Sequence, residues 1–321
     1  MIPSLSDILQ QADKIMPLLA SFEQRRKRSL TLIKYIGISL VAFLLAHLAI
    51  IIVFKQPLYY LVISSLLSAI IATKVYNRFF SDTTLGLELK DQLFKALLPM
   101  MMPLPPMFEP ERHVAFKYFQ ESGLFLHFPS SFGGANAVKG GSFEATFLYS
   151  ELEAYLADTD GELVVFDGMF YVFNTLADFQ PPIVIIPNRL QKKLGVIGRK
   201  IRQHSTFRGR YVKLFDEAFE TEFSVYCHNA RYAQQTVAQH VREKLLHFYA
   251  QTGADIYMSF VGRKIYIGLH NCPPIHFSIY KSCSNFTYIS EMATKFLFPI
   301  SLVSQINQQF IPPKAPPSWD I

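Results

Sequence analysis

Hydrophobic positions cluster most densely in the N-terminal quarter of the chain, in two long runs that a short polar break separates. The first run, residues 35–54, has no formal charge over about 20 residues, the length a helix needs to cross a membrane. The second run, residues 58–75, carries only Lys74 near its end. Residues 55–57 leave room only for a tight turn, so we predict a transmembrane hairpin over residues 31–78. A buried hairpin of a soluble protein is the disfavoured alternative, because few soluble helices are apolar on every face.

Basic residues on either side of the two runs predict their orientation. The turn holds only Lys55, and the positive-inside rule therefore places both termini in the cytoplasm. We expect the basic run also to contact anionic lipid. The basic residues before the first run are Arg25, Arg26, Lys27, Arg28 and Lys34, and those that close the second are Lys74 and Arg78.

One polar residue, His47, interrupts the first run. Its predicted depth matches that of three serines in the second run, Ser64, Ser65 and Ser68. An unpartnered polar group in lipid costs several kcal/mol, so we predict a hydrogen bond across the hairpin. Exposure to lipid near the interface stays open as an alternative. A proton relay would need a second ionisable group at this depth, and the runs contain none.

Amphipathic helices are predicted on both sides of the hairpin. Residues 1–30 form the first segment, an amphipathic helix followed by the basic run. Residues 79–110 form the second, a connector helix followed by a linker rich in proline and methionine. The apolar stripe of the first helix consists of Ile8, Ala12, Ile15, Leu18, Leu19 and Phe22.

Residues 111–310 alternate between strand-like and helix-like patterns and predict a cytoplasmic α+β domain with local β-hairpins and two to three packing helices. Two dipeptides, Asp167-Gly168 and Gly262-Arg263, are typical of hairpin turns. Asn229 predicts the start of one long helix that ends at Gly253. Residues 311–321 form a proline-rich tail. Predicted strands lie at 124–128, 143–156, 163–173, 183–186, 211–214, 223–227, 255–261, 264–269 and 275–280, and further helices at 188–203 and 290–309.

Motifs for catalysis or metal binding are weak. Nucleotide-binding loops, the nucleophile elbow and the zinc-protease motif are absent from the sequence. His270, Cys272 and His276 are the best metal candidates, but no C-x-x-C pair accompanies them. We therefore predict no metal site, no catalytic residue and no cofactor. Glu151 and Glu153 alternate along a strand and are interpreted as solvated outward residues.

Composition adds little to the predicted membrane anchor and α+β domain. Half of the chain is hydrophobic, and 31 basic against 25 acidic residues give a net charge of +6. The three cysteines, Cys227, Cys272 and Cys283, are too few and too widely spaced for a disulfide framework, which favours a reducing compartment. A second basic cluster could pair internally, contact anionic lipid or bind a protein partner. We expect no nucleic-acid partner, because no recognition motif accompanies this cluster. Its main residues are Lys192, Lys193, Arg199 and Lys200.

A series of short motifs resembles a known family. SGLF at 122–125, SELEA at 150–154, VFDGMFYVF at 165–173, IVIIP at 183–187 and FETEFSVYCHN at 219–229 occur in that order. Together with the N-terminal hairpin, they resemble the bacterial two-pass membrane family known only as the domain of unknown function numbered three-one-three-seven. The resemblance implies a bacterial inner-membrane protein and transfers no catalytic residue. Residues 133–141, GGANAVKGG, stand where that family carries a more acidic run.

These observations lead to one main functional hypothesis. The chain is expected to be a multi-pass protein of the bacterial inner membrane. Its cytoplasmic domain would act as a binding, scaffold or regulatory module for a protein partner near the bilayer. A membrane-tethered enzyme with an unrecognised site around His270, Cys272 and His276 is the alternative. A transport subunit is disfavoured, because two spans with one histidine cannot line a polar path alone.

Overall fold

A computed structural model describes residues 3, 5–54, 59–79, 82–102, 104–125, 128–141, 145–158, 161–189, 208–272, 280–282 and 287–310. The chain forms two compact units. The helical unit comprises Ser6–Leu97 and Ile275–Met292. The sheet unit comprises Met1–Leu5, Leu98–Pro274 and Ala293–Ile321.

The helical unit is dominated by one very long helix. Helix α1 (Leu5–Gln11) and a 3-10 turn (Ala12–Lys14) precede α2 (Met16–Phe54), which is followed by α3 (Tyr59–Phe79) and α4 (Asp82–Met101). The 39 residues of α2 span roughly 58 Å, about twice the hydrocarbon core of a bilayer. Residues 1–30 therefore do not form one separate helix, because the segment divides into α1, the 3-10 turn and the first part of α2; of the predicted apolar stripe, Ile8, Ile15, Leu19 and Phe22 are buried. After Pro17 in its first turn, α2 contains no proline or glycine before the apolar run begins, so the backbone hydrogen bonds continue.

Among the described residues, one helix, Met16–Val53, is long and apolar enough to cross a membrane. The apolar part of α3 is shorter, Val62–Lys74. Length and composition therefore support one span, and the two-span hairpin stays a prediction.

Helices α2 and α3 contact each other through complementary stripes. On α3 the less exposed positions are Ser64, Ser65, Ser68 and Ala72, at about one helical turn apart and all small. The rest of the described α3 surface is largely exposed. The facing stripe of α2 consists of Ile33, Ile36, Leu40, Leu44, His47, Leu48 and Ile51.

The sheet unit is built around a seven-stranded antiparallel sheet. Its strands are β1 (Met107–Glu109), β2 (Ser131–Gly141), β3 (Thr146–Asp158), β4 (Gly161–Pro187), β5 (Arg210–Val212), β6 (Phe223–Cys227) and β7 (Asp255–His270). The order is β1-β2-β3-β4-β6-β5, with β7 beside β4. Strand β4 pairs with β3 along its first half and with β6 along its last residues, while β7 lies along its other edge.

Two predicted hairpin turns are wrong. Residues 167–168 lie inside β4, and residues 262–263 lie inside β7. A turn at Gly168 is excluded, because this residue is in register with Leu152 of β3 on one side and His270 of β7 on the other. The sequence pattern also does not predict β1 and β2. Strand β2 is rich in glycine and small residues and lacks the alternation of apolar residues that marks a strand, and β1 is only three residues long.

Helices cover both faces of the sheet. On one face, helix α5 (Phe116–Glu121) brings Phe119 to 5.7 Å from Phe170 between ring centroids. The opposite face is covered by part of helix α9 (Thr287–Phe310), whose Phe296 ring lies 4.7 Å from Tyr149. Helix α8 (Gln239–Thr252) joins that layer through Phe248, which stacks on Phe298 at 3.8 Å. The α+β prediction is confirmed.

In the remaining helices, the residues that the sequence marks as helix caps can be compared with the helix ends. Asn229 caps α7 (Ala230–Thr236) by accepting from the amide of Tyr232, and Gly253 ends α8 at φ +65°. Both predicted ends of the helical segment are confirmed. The pattern predicts one helix between them, but the chain breaks at Val237 (ψ +58°) and restarts as α8. Helix α6 (Glu217–Glu222) forms from the acidic stretch before β6.

The close approach of three strands at Gly168 gives a stability test. A Cβ atom there would lie 2.0 Å from the Leu269 carbonyl oxygen, with φ at +156°. Gly161 has a similar φ of +137°, but no atom lies within 4 Å of the position that a Cβ atom would take there. We expect Gly168→Ala to lower the free energy of unfolding by about 3 kcal/mol or more, against about 1–2 kcal/mol for Gly161→Ala. Guanidinium unfolding of the detergent-solubilised chain, followed by circular dichroism, measures both. Equal losses would refute the steric argument.

Candidate functional site

A cleft of the sheet unit is open, acidic and formed by three adjacent strands. It has a volume of about 260 Å³ and lies on the face of the sheet that also carries Tyr149 and Tyr171. Glu151 and Glu153 alternate on β3 and therefore point to the same face. Asp167 of β4 stands directly opposite Glu153 in the register. The lining residues are Gly134, Ala135, Glu151, Leu152, Glu153, Asp167 and Gly168.

Small residues leave the floor of the cleft open. Gly134 and Gly168 flank Leu152 in the register of the three strands. A Cβ atom at Gly134 would meet the Glu151 carbonyl oxygen at 2.1 Å, so only glycine fits there. Ala135 stands opposite Glu151. The acidic side chains therefore border a floor of backbone and methyl groups.

Glu151 is held in place by two neighbouring side chains. Asn136 Nδ2 donates to Glu151 Oε2 at 2.7 Å, and the Tyr149 hydroxyl donates to Oε1 at 3.2 Å. Burial, and next to it the Glu151 charge, raise the pKa of Tyr149 well above its ordinary value. Tyr149 therefore remains a hydrogen-bond donor at neutral pH.

The position of Asn136 depends on a bulge in β2. The register shifts between Ala135 and Val138, and Asn136 adopts φ +60°, which asparagine tolerates better than most residues. The backbone N–H of Asn136 donates to the Pro110 carbonyl at 2.8 Å, and the backbone N–H of Ala137 donates to the Arg112 carbonyl at 2.9 Å. The loop after β1 thus fixes the bulge that aims Asn136 at Glu151.

Glu153 and Asp167 form the exposed rim of the cleft. The Tyr155 hydroxyl donates to Glu153 at 3.4 Å, and the negative charge of Glu153 is the main reason that the pKa of Tyr155 is raised. Within the described part of the chain, neither rim carboxylate forms an ion pair with lysine or arginine. Glu109, on the nearby strand β1, pairs with both Lys139 and Arg112 at 2.9 Å. The rim is therefore suited to a cationic group from another molecule.

The two weak metal candidates that the structure describes, His270 and Cys272, lie on opposite faces of the sheet. The His270 ring lies among the aromatic residues of the α5 face, 5.7 Å from Phe166, and its Nδ1 accepts from the Asp167 amide at 3.0 Å. The Cys272 thiol lies on the opposite face, 4.0 Å from the Met169 sulfur. His276 lies outside the described residues. No cluster of three metal-ligating side chains occurs within the ranges that the structure describes.

The N-terminal basic run divides between internal pairs and the surface. Arg26 is buried and pairs with Glu23 at 2.6 Å, while Arg25 forms a two-pronged pair with Glu88 at 2.7 and 2.8 Å. Lys27, whose Nζ lies 3.8 Å from the Glu23 carboxylate, and Arg28 are exposed. The second basic cluster, Lys192, Lys193, Arg199 and Lys200, lies outside the described residues.

His47 lies on the less exposed stripe of α2, and the three serines lie on the less exposed stripe of α3. The His47 ring stacks on Phe43 of its own helix, with 5.9 Å between ring centroids. The Ser65 hydroxyl donates to the Val62 carbonyl at 2.9 Å. The cross-hairpin hydrogen bond stays a prediction.

Residues 164–308 match the family model described as Protein of unknown function (DUF3137). The match covers somewhat less than half of the chain, which is therefore similar to this family over that segment. The resemblance to this family is confirmed over the matched segment, which holds three of the five motifs, while those at 122–125 and 150–154 precede it. The DUF3137 segment begins inside β4 and includes Asp167 and Gly168, whereas Glu151 and Glu153 precede it. No curated protein matches the chain, and no solved structure matches it.

Sequence reasoning identifies the acids of the cleft but not the cleft itself. It interprets Glu151 and Glu153 as independent solvated residues, and it predicts a turn at Asp167. The signal that the sequence offers is the alternation of SELEA, which puts two carboxylates on one face of a strand. The opposing Asp167 could not be found, because its register depends on the pairing of β3 with β4.

The bulge provides a test of how Glu151 is positioned. Asn136→Gly keeps the positive φ but removes the amide that donates to Glu151, and we expect a loss of about 1.5–3 kcal/mol in unfolding free energy. Asn136→Ala also adds backbone strain and is expected to cost about 1–2 kcal/mol more. Chemical unfolding of the two variants beside wild type measures both steps. If the Asn136→Gly variant has the same free energy of unfolding as wild type, the Asn136–Glu151 hydrogen bond does not stabilise the fold.

Proposed function

We propose that this chain is a membrane-anchored binding protein, whose α+β domain receives a cationic group of a protein partner in the acidic cleft. The observation that carries the proposal is the convergence of Glu151, Glu153 and Asp167 on one open cleft, where the two rim carboxylates form no ion pair with a described lysine or arginine. A lysine ammonium or an arginine guanidinium of a partner has the complementary charge.

The geometry favours binding over catalysis. Glu151 is fixed by Asn136 and Tyr149, so the cleft is arranged before any ligand arrives. Preorganised groups lose less entropy when they bind. The cleft borders lack a nucleophile or a histidine, since its described lining consists of glycine, alanine, leucine and acidic residues.

The anchor in this proposal is a two-span hairpin in the bacterial inner membrane. The apolar helix Met16–Val53 and the apolar part of α3 support it, together with the small-residue stripe through which α3 contacts α2. The excess of basic residues before the first apolar run and after the second favours cytoplasmic termini. The α+β domain would then meet its partner at the cytoplasmic face.

Loss of the rim charges tests the binding site. We expect the double variant Glu153→Gln/Asp167→Asn to bind a fluorescein-labelled, arginine-rich peptide at least about tenfold more weakly, which corresponds to about 1.4 kcal/mol. Fluorescence anisotropy on the full chain in zwitterionic nanodiscs measures the affinity without competition from anionic lipid.

The control for this measurement is Glu111→Gln/Glu217→Gln. It removes the same net charge from exposed positions outside the cleft lining. An equal loss of affinity in both double variants would mean that the peptide senses overall charge only, and the cleft assignment would fail.

Labelling of single cysteines tests the anchor. In bacterial cells that express the chain with Cys227, Cys272 and Cys283 replaced by alanine, we expect Gln56→Cys to react with a membrane-impermeant maleimide in intact cells, because it lies in the predicted outer turn. Ser21→Cys, an exposed position of α2 before the apolar run, is expected to react only after permeabilisation. Labelling of Gln56→Cys only after permeabilisation would exclude this topology.

A further inference from the structure

The loop between β5 and α6 presents one aromatic side chain to solvent in an uncommon backbone conformation. Phe215 is 85% exposed and adopts φ +58°. Single exposed apolar residues are ordinary on protein surfaces. A positive φ at a bulky aromatic residue is not, because it brings Cβ close to the backbone and costs about 1–2 kcal/mol. Strain of this kind persists only where neighbouring interactions fix the chain.

Glu220 of α6 supplies that fixation. Its Oε1 accepts from the backbone amides of Leu214 at 2.6 Å and of Phe215 at 2.9 Å. Leu214, immediately before Phe215, and Phe219, in the helix that follows, are both buried. The backbone on both sides of Phe215 is therefore anchored in the core, while the phenyl ring projects outward.

The carboxylate of Asp216, the next residue, is also engaged in hydrogen bonds within this region. Its Oδ1 accepts from the Phe219 amide at 3.1 Å as the cap of α6, and Arg242 Nε donates to its Oδ2 at 2.7 Å. Burial acts to raise the pKa of Asp216, but the Phe219 amide and the Arg242 guanidinium outweigh it and hold the pKa below its ordinary value. The carboxylates of Asp216 and Glu220 are therefore engaged within the fold.

Exposed basic residues stand close to the ring in the chain. Arg210 begins the edge strand β5, and Lys213 follows its end. Tyr211, between them, is 43% exposed and packs one side of its ring near Tyr226, at 6.1 Å between centroids. Glu217 is exposed as well and offsets one of the two positive charges. Tyr211, Lys213 and Phe215 are thus exposed within five residues of one another, and Arg210 directly precedes them in the chain.

We propose that Phe215 inserts into the surface of an anionic bilayer, with Arg210 and Lys213 contacting lipid phosphates. This inference rests on the membrane anchor of the proposed function, since the same chain carries a helix able to cross a membrane. An anchored domain stays close to the bilayer, so even a weak contact is populated. Aromatic rings are favoured at the membrane interface, and basic residues near an anionic surface are attracted to it. An exposed phenyl ring with two exposed cations within five residues of it in the chain has the chemistry of a contact with lipid headgroups and needs no shaped partner.

The fluorescence of a tryptophan at this position provides the test. The chain has a single tryptophan, Trp319, so Trp319→Phe gives a silent background. In that background, Phe215→Trp reports the loop, and Leu176→Trp reports another exposed position of the sheet unit, where the native side chain is 65% exposed. The full chain is reconstituted in vesicles that contain phosphatidylglycerol, with or without brominated acyl chains.

We expect the Phe215→Trp emission to shift to shorter wavelength and to be quenched by brominated lipid, while Leu176→Trp keeps the emission of an exposed indole. Addition of Arg210→Gln and Lys213→Gln is expected to reduce the quenching, as is replacement of phosphatidylglycerol by phosphatidylcholine. Unshifted and unquenched emission of Phe215→Trp would overturn the inference, and so would equal quenching at position 176.

Carbonate extraction separates this inference from the anchor. If carbonate releases the chain from the vesicles, the anchor is refuted and the inference fails with it. If the chain resists extraction but the Phe215→Trp emission does not change, the anchor stands and only the bilayer contact of Phe215 is refuted.

Discussion

Strand β4 is paired along both of its edges, and the rest of the sheet unit depends on that constraint. It runs from Gly161 to Pro187, with β3 and then β6 on one side and β7 on the other. At Gly168 the neighbouring strand comes so close that a single methyl group would collide with the Leu269 carbonyl. A side chain there would push β7 away and break the hydrogen bonds that hold three strands together.

The same pairing places alternate side chains of β3 and β4 on opposite faces of the sheet. Phe166 and Phe170 point towards α5, together with the His270 ring, and form an aromatic core. Tyr149 and Tyr171 point to the other face, where α9 covers them and the Tyr171 hydroxyl donates to the Lys295 carbonyl at 3.0 Å. Beyond these tyrosines the face is open, and Glu151 and Glu153 meet Asp167 there. The cleft is thus the uncovered continuation of a helix-covered surface.

The two proposals concern separate regions of the sheet unit. The acidic cleft lies on β2, β3 and β4, whereas Phe215 follows β5 at the far edge of the strand order. A domain that contacts anionic lipid through a basic and aromatic edge keeps its acidic cleft away from that contact, because like charges repel. In the proposed arrangement, a bilayer and a basic partner would occupy different surfaces and would not compete.

The sequence by itself determined the features of this protein that depend on residues close together in the chain. The uncharged run from residue 35 to 54 identified the apolar helix, because length and absence of charge are properties of the sequence alone. Asn229 and Gly253 marked helix ends, since caps act over a few residues. The motifs in β4 and around β6 indicated the family that matches residues 164–308.

Tertiary structure decided what depends on distant partners. Asp167-Gly168 carries the local signal of a turn, yet two flanking strands hold it extended within β4. Asn136 reaches Glu151 only because a bulge shifts the register of β2, and Asp167 joins Glu153 only because β3 and β4 pair in one register. A one-residue slip would send these carboxylates to the other face. The sequence by itself therefore determined most of the elements and the acids, while strand register decided that those acids form a site.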